Sequence, residues 1–168
     1  NKDSGLAWIG SIPEDWKVEK LKRVLTIQKD ISNKDNPIVL SLARDGVKVR
    51  DISTNEGQLA ATYENYNSVK RGDLLLNPMD LISGANCSYS YVYGVISPAY
   101  FNLRAFKEYH TKYYYYFFKV QYWTCALFVH GKGVSKENRW TLNSGTLNQY
   151  YVLTSNHSEQ KKITDYLD

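Results

Sequence analysis

Short stretches in which apolar and polar residues alternate recur along most of the chain, a pattern that predicts strands. Two apolar-rich stretches, 38–42 and 47–50, flank Ala43-Arg44-Asp45-Gly46. An Asp-Gly pair between apolar runs is the strongest short-range signal for a hairpin. We therefore predict a β-hairpin here, with Arg44 at its exposed tip and Lys48 on one face.

Further strands are predicted in the middle of the chain. Leu74-Leu75-Leu76 follows a turn at 70–73 and reads as a buried strand. Residues 88–96 alternate with a period of two, which places every second residue, including Tyr89 and Tyr91, on one face. We also expect a short strand that includes Trp16 and Val18, strands at 100–103 and at 149–153, one helical turn at 21–24, and a loop at 54–69.

Two stretches show helical spacing instead. In 111–128 apolar residues recur three or four apart, which predicts a helix. Its predicted apolar face consists of Tyr113, Tyr116, Phe117, Val120, Thr124 and Leu127, with Lys112 and Lys119 together on one side. Asn156, with Glu159 three residues later, has the pattern of a capping box and predicts a helix that runs to Leu167. Together these elements predict an α/β chain of the α+β kind, with a mixed, strongly twisted sheet and a few packed helices.

The length and composition are those of one globular domain. The chain has 168 residues, of which 43% are hydrophobic and 23% charged, and this excludes a disordered segment. No apolar run reaches the roughly 18 residues of a membrane span, and the two cysteines give no disulfide framework. The sequence shows no signal peptide. It begins with Asn1 rather than Met, so we expect a trimmed part of a longer protein.

Positive charge and tyrosine are concentrated in the same part of the chain. Residues 1–84 contain twelve basic and twelve acidic residues, whereas residues 85–168 contain nine and five, so the net charge of +4 lies in the second half. Ten of the 15 tyrosines lie between Tyr89 and Tyr122. Cations beside aromatic rings suit a nucleic-acid surface, because cations contact phosphates while rings and hydroxyls contact bases and sugars. The alternative is that the tyrosines form the core and the lysines a solvated face.

The chain carries no recognisable catalytic motif. Asn77-Pro78-Met79-Asp80 lacks the second proline and the aromatic residue of the amino-methyltransferase motif. Gly131-Lys132-Gly133 lacks the spacing of a phosphate-binding loop, and the three histidines have no metal-ligand spacing with one another or with the cysteines. We therefore predict a protein without catalytic activity and without a bound metal.

An ordered set of short motifs resembles one known family. The set comprises Trp8 to Lys17, Gly72 to Asn77, Gly94 to Tyr100, Gly133-Val134 before Arg139-Trp140, and Glu159 to Asp168. In order and spacing it resembles one target recognition domain of the specificity subunit of a type I restriction-modification system. The resemblance covers nearly the whole chain.

The resemblance implies a division of the chain and a set of partners. Residues 1–157 would form the target recognition domain, and residues 158–168 the start of a long conserved spacer helix. A specificity subunit carries two such domains, each of which reads one half of a split target in double-stranded DNA. It binds methyltransferase subunits and, through them, restriction subunits; S-adenosylmethionine, ATP and Mg²⁺ belong to these partners. The resemblance thus implies a cytoplasmic DNA-binding module with no cofactor of its own and no membrane contact.

Candidate DNA contacts are basic or hydrogen-bonding side chains in predicted turns, loops and exposed strands, since no motif of the family transfers base-contacting positions. Arg and Lys contact phosphates or guanine, Asn reads adenine, and Ser and Tyr bond to phosphates. The candidates are Arg44, Lys48, Lys70, Arg71, Asn86, Ser88, Tyr89, Ser90, Tyr91, Lys132, Lys136, Asn138 and Arg139. Apolar residues of the last helix, Ile163, Tyr166 and Leu167, are candidates for an interface with spacer helices. The alternative is ordinary surface charge and, for the tyrosines, packing on a sheet face.

A second class of function stays open at this point. Exposed tyrosines also suit a protein-interaction or carbohydrate-binding module. The positions of the basic side chains distinguish the two classes, because a DNA-binding surface requires them to converge. We expect Arg44, Lys132, Lys136 and Arg139 to lie on one surface.

Overall fold

The computed structural model describes residues 1–32, 36–53, 62–82, 86–133 and 141–168. The strands in these ranges are β1 (Lys2–Asp3), β2 (Ser11–Ile12), β3 (Lys17–Lys20), β4 (Leu25–Ile27), β5 (Leu40–Ala43), β6 (Gly46–Val49), β7 (Asn67–Val69), β8 (Leu74–Leu76), β9 (Cys87–Tyr89), β10 (Gly94–Ile96), β11 (Phe101–Ala105) and β12 (Tyr151–Thr154). The α-helices are α1 (Thr111–Trp123), α2 (Ser144–Gln149) and α3 (His157–Leu167), and 3-10 turns lie at Leu21–Arg23 and Phe128–His130. The α+β class is therefore confirmed. No helix in these ranges has the length and apolar character needed to cross a membrane.

A four-stranded antiparallel sheet in the order β4-β11-β8-β9 forms the centre of the fold. Leu74, Leu75 and Leu76 of β8 are all completely buried, although successive side chains of a strand point to opposite faces. Leu74 and Leu76 belong to the larger apolar core, together with residues of α1. Leu75 packs in a smaller core with Leu40 and Ile96. The central sheet is therefore covered by helices on one face and by strands on the other.

The strand layer contains the predicted hairpin. Strands β5 and β6 pair with Ala43 opposite Gly46, so the loop between them has two residues. Gly46 has a φ of 124°, a conformation that glycine adopts far more readily than other residues. Strand β10 pairs with β7, and a parallel bridge from Val39 to Val95 joins this pair to the hairpin. The hairpin prediction is confirmed, and the strand layer is mixed.

Helix α1 confirms a predicted helix but corrects its predicted end and face. It ends at Trp123 rather than Phe128. The buried residues are Tyr113, Tyr114, Phe118, Gln121 and Tyr122. Val120, predicted to be buried, is 47% exposed. Buried Gln121 accepts a hydrogen bond of 2.7 Å from the Tyr150 hydroxyl, so a polar residue occupies a core position that an apolar pattern cannot reveal.

Two other predictions about secondary structure are wrong, and one helix was missed. Residues 88–96 do not form one strand, because the Ser90 hydroxyl donates to the Val92 carbonyl at 2.9 Å and closes a turn between β9 and β10. The end of the predicted loop is strand β7, while its residues 54–61 lie outside the described ranges. Helix α2 was not predicted, although the Asn143 side chain caps it by accepting from the Thr146 amide at 2.8 Å.

Helix α3 begins with the predicted cap. The Asn156 side chain accepts a hydrogen bond of 2.9 Å from the Glu159 amide. Gln160 is completely buried, and its side chain accepts from the His110 amide at 2.7 Å and donates to the Thr154 hydroxyl at 3.1 Å. These bonds hold α3 against α1 and β12. The helix begins at His157, one residue before the boundary that the resemblance implies.

A buried carboxylate connects the two layers of the fold. Asp73 is completely buried and accepts two hydrogen bonds from Arg104, at 2.8 and 3.0 Å. It also accepts from the Asn102 side chain at 3.0 Å and from the Lys70 amide at 2.8 Å. Asn102 donates a further bond of 2.9 Å to the Ser68 carbonyl in β7. A buried charge is tolerated when it is paired and hydrogen-bonded in this way.

We expect Asp73→Asn to lower the free energy of unfolding by about 3 kcal/mol, because it removes the counter-charge of Arg104 and leaves part of the network unpaired. Urea denaturation followed by circular dichroism measures this change. The control is Asp165→Asn, which breaks an exposed pair with Lys161 and should change the free energy by less than about 0.5 kcal/mol. Equally small effects of both substitutions would contradict the role of Asp73.

Candidate nucleic-acid interface

Three tyrosines at the turn between β9 and β10 lie beneath basic side chains. Tyr91 and Tyr93 are 63% and 59% exposed. The Lys112 ammonium is 5.4 Å from the ring centroid of Tyr89 and 5.2 Å from that of Tyr91. The Arg71 guanidinium is 5.3 Å from the ring centroid of Tyr93. We call these five residues the tyrosine–cation surface.

The turn at 70–73 places Arg71 on this surface. The Gly72 amide donates to the Ser90 carbonyl at 2.8 Å, and the Ser90 amide donates to the Asp73 carbonyl at 2.8 Å. Gly72 has a φ of 95°, and a Cβ added there would lie 3.3 Å from the Tyr89 hydroxyl. The turn therefore packs directly against the tyrosines, and glycine permits both its conformation and its close approach.

Lys112 connects the tyrosine–cation surface to the end of α3. Its ammonium lies 2.5 Å from the Asp168 carboxylate, which also accepts a hydrogen bond of 2.7 Å from the Tyr116 hydroxyl. Burial lowers the pKa of Lys112, but hydrogen bonds to Asp168 and Tyr91 outweigh burial, so the pKa lies above its ordinary value. Burial and the Asp168 carboxylate raise the pKa of Tyr116 to about 12. At neutral pH Lys112 is therefore charged, while Tyr116 keeps its proton.

A cavity of about 310 Å³ adjoins this surface and lies between the hairpin tip and α1. Its lining among the described residues is Arg44, Asp45, Gly46, Val47, Ser88, Tyr89, Tyr91, Tyr115 and Lys119. We call this cavity the hairpin pocket. It shares Tyr89 and Tyr91 with the tyrosine–cation surface, and the Lys119 ammonium lies 5.5 Å from the ring centroid of Tyr115.

The structure brings several predicted site residues together. Arg44, Ser88, Tyr89 and Tyr91 line the hairpin pocket, and Arg71 lies above Tyr93. The other predicted cations nearby are exposed. Lys48 pairs with Asp45 at 2.6 Å, and Lys70 lies next to Arg71 in the turn. A group of candidates spread over 48 residues of sequence thus shares one region of the surface.

Three predicted site residues, Asn86, Ser88 and Ser90, are buried, and of these Ser88 lines the hairpin pocket. Asn86 is 1% exposed, and its side chain donates to the Asp80 carbonyl. Ser90 is completely buried, and its hydroxyl donates to the Val92 carbonyl. We correct the assignment of Asn86 and Ser90 as DNA contacts, because both side chains stabilise turns. Asn and Ser occur both in exposed loops and in such turns, so the sequence pattern could not distinguish the two roles.

The expected convergence of Arg44 with the loop 132–140 is not tested, because Lys136, Asn138 and Arg139 lie outside the described residues. Lys132 is exposed and forms a bridge with Thr141. The cations that do join Arg44 are Lys112 and Lys119, which were not among the candidates. The sequence already predicted that these two lysines lie on one side of α1. It did not predict that Tyr89 and Tyr91 would lie beside them.

One residue of the last helix that was predicted to contact spacer helices packs inside this chain instead. Ile163 is partly buried and packs against the larger core. Tyr166 and Leu167 are 89% and 48% exposed. The assignment of Ile163 is therefore corrected, while Tyr166 and Leu167 stay a prediction.

Comparison with known proteins identifies the fold. No family model matches the sequence, and no curated protein matches it. The HsdS subunit from Thermoanaerobacter tengcongensis superposes with a TM-score of 0.55 at 14% identity, over 95% of this chain and 38% of that one. The chain has the fold of part of an HsdS subunit. The resemblance to a target recognition domain of a specificity subunit is thus confirmed for the fold.

A second solved structure agrees with the HsdS fold. It concerns complex assembly and conformational transition of the type I R-M system, and it superposes with a TM-score of 0.60 at 14% identity. The match covers 95% of this chain and 39% of the other. This chain therefore spans about two fifths of the length of each of these proteins.

Within the described residues no group of three or more His, Cys, Asp and Glu residues could hold a metal ion.

Cysteine reactivity tests the placement of β9 beneath the hairpin pocket. Cys87 in β9 is buried, and its thiol donates to the Tyr115 carbonyl at 3.8 Å. Burial raises the pKa of Cys87, whereas Cys125 is exposed. Since the thiolate is the reactive form, the two cysteines should differ strongly in reactivity.

We expect 5,5′-dithiobis(2-nitrobenzoate) to modify one thiol per folded chain rapidly and the second only on unfolding, as measured by the absorbance of the released thiolate. The control variant Cys125→Ser should lose the rapid phase. A rapid phase that persists in this variant would show that Cys87 is accessible and that β9 is not buried as described.

Proposed function

We propose that this chain is a sequence-specific DNA-binding module that reads one half-site of a bipartite target for a type I restriction-modification complex. The observation that carries this proposal is the convergence of Arg44, Arg71, Lys112 and Lys119 around a group of half-buried and exposed tyrosines, on a chain with the HsdS fold. The total charge of the chain is only +4, so the local arrangement of these cations matters more than the overall charge.

The charges of this region support contact with phosphates. In the described part of the chain, Arg44, Arg71 and Lys119 form no ion pair, while Lys112 and Lys48 pair with Asp168 and Asp45. The local balance is therefore positive. Cations that neutralise DNA phosphates release bound counterions, which gives binding its affinity and its dependence on salt. Tyrosine hydroxyls add hydrogen bonds to phosphates and sugars.

The proposal assigns catalysis to partner subunits. Methyltransferase subunits would bring S-adenosylmethionine, and restriction subunits would use ATP and Mg²⁺, so this chain would act in the cytoplasm without a cofactor. Support comes from the second solved structure with this fold, which concerns complex assembly of the type I R-M system. Residues 1–157 would be the recognition domain and 158–168 the start of a spacer helix. Tyr166 and Leu167 would contact the partner helices.

Carbohydrate binding fits the tyrosines less well. A sugar would stack on an open aromatic face, but Lys112 lies over Tyr89 and Tyr91 and Arg71 lies over Tyr93. Cations that stand on these rings instead extend the positive surface. The arrangement therefore favours a polyanion over a neutral sugar.

A protein contact is supported by a different part of the surface. A cavity of about 610 Å³ is lined in part by Trp8, Val120 and Val129, which are 47%, 47% and 76% exposed. Exposed apolar side chains around a groove are typical of protein interaction sites. This groove shares no described lining residue with the hairpin pocket, so a protein partner and DNA could bind at the same time.

We expect Arg71→Ala to weaken duplex binding to a similar extent for all sequences and to reduce the slope of log K against log salt by about one, because one phosphate contact is lost. Fluorescence anisotropy with a labelled duplex at several NaCl concentrations measures both effects. The control is Lys22→Ala, since exposed Lys22 lines a different depression with Ser144 and Asn148. Binding that is absent, or that does not depend on salt, would contradict the proposal.

The half-site assignment is tested in cells. Replacing the matching domain of an HsdS subunit with this chain should change one half of the methylated DNA motif and leave the other half unchanged, because each domain would read its own half-site. Methylome sequencing measures the motif, and the unaltered subunit is the control. An active hybrid enzyme with an unchanged motif would refute the assignment.

A further inference from the structure

The hairpin pocket has the charge of an anion site. Arg44 and Lys119 line it, and neither forms an ion pair with a described residue. The acidic residue in its described lining is Asp45, which lies 2.6 Å from the Lys48 ammonium. The hydrogen bond from Lys48 lowers the pKa of Asp45, so Asp45 stays ionised and paired. The pocket therefore keeps an excess of two positive charges.

The remaining polar side chains of the pocket carry hydroxyls, which can donate hydrogen bonds. Ser88 is 6% exposed and contributes a hydroxyl from β9. Burial raises the pKa values of Tyr89 and Tyr115, so their hydroxyls keep their protons at neutral pH. Lys112 stands beside the pocket over Tyr89 and Tyr91, where Asp168 balances its charge. Hydroxyl and cationic donors that face one cavity can surround the oxygens of a single anion.

The shape of the pocket suits one small group rather than a base pair. Its volume of about 310 Å³ is at the lower end of the range of roughly 300 to 1,000 Å³ for pockets that bind small molecules. One wall is the two-residue loop of the hairpin, and the opposite wall is a turn of α1 with Tyr115 and Lys119. The ring of Tyr115 supports the Lys119 ammonium at 5.5 Å and restricts its position.

We propose that the hairpin pocket binds one phosphate group of the DNA backbone, with Arg44 and Lys119 as its charged ligands and Ser88 as a hydroxyl donor. The inference rests on the proposed function, and it assigns the pocket a role in fixing the position of the protein on the duplex. Contacts to phosphates set register and orientation, whereas contacts to base edges carry sequence information.

The test uses the 168-residue chain and a 20-base-pair duplex selected from a random pool for binding to it. Single phosphates are replaced in turn by neutral methylphosphonates, and affinity is measured by fluorescence anisotropy. We expect one linkage at which the replacement weakens wild-type binding about tenfold. Lys119→Gln should weaken binding to the unmodified duplex about tenfold and should be insensitive to replacement at that linkage. Lys22→Gln is the matched control and should behave like the wild type.

A second variant and a second measurement keep the test independent of folding and of DNA binding. Arg44→Gln changes an exposed loop residue and should show the same insensitivity at the same linkage. Inorganic phosphate, titrated into the free chain and followed by NMR at constant ionic strength, should shift the signals of Ser88 and Tyr115 in the wild type but not in Lys119→Gln.

The outcomes separate the two proposals. If both variants stay as sensitive as the wild type at every linkage, the hairpin pocket does not hold a DNA phosphate. If the wild-type chain binds no duplex of the pool but inorganic phosphate shifts the pocket signals, the proposed DNA function fails while the pocket is still a phosphate site. If neither variant becomes insensitive at any linkage and inorganic phosphate shifts no signal of the pocket, the hairpin pocket is not a phosphate site.

Discussion

The buried Asp73 carboxylate is the interaction on which the arrangement of the fold depends. Through Arg104 and Asn102 it holds β11 against β8, and through Asn102 it reaches the Ser68 carbonyl in β7 of the strand layer. Its bond to the Lys70 amide closes the turn before β8. An apolar residue could fill the same space, but it could not specify which strands meet. The charged pair makes that choice, because separating Asp73 from Arg104 leaves a buried charge unpaired.

The surface inherits its geometry from this buried network. The turn closed by Asp73 places Gly72 against Tyr89 and Arg71 above Tyr93. Lys112 then lies over the neighbouring ring and pairs with Asp168 at the end of α3. A continuous series of contacts thus runs from the centre of the sheet to the last helix. Side chains held in this way have less conformational entropy to lose when they bind a ligand.

Predictions that depend on interactions between neighbouring residues were more accurate than those that depend on contacts between residues far apart in the sequence. The Asp45-Gly46 hairpin and the Asn156 cap depend on backbone conformations within four residues, and both were predicted correctly. The single strand over 88–96 was wrong because one hydroxyl, that of Ser90, closes a turn inside an alternating pattern. The apolar face of α1 was misplaced because buried Gln121 has a partner 29 residues away. Such bonds leave no trace in local periodicity.

By itself the sequence determined the α+β class, the hairpin, the buried strand β8, the capped last helix and the resemblance that the fold comparison confirms. Only the tertiary structure decided which polar residues form a surface. It buried Asn86 and Ser90. It also placed Lys112 and Lys119 near Tyr89 and Tyr91, which lie more than 20 residues earlier in the chain, while Lys119 also contacts the nearby Tyr115. The physical reason is that local signals reflect the conformation of a few neighbouring residues. Convergence of charges depends instead on how layers pack, and that packing is set by buried contacts between distant segments.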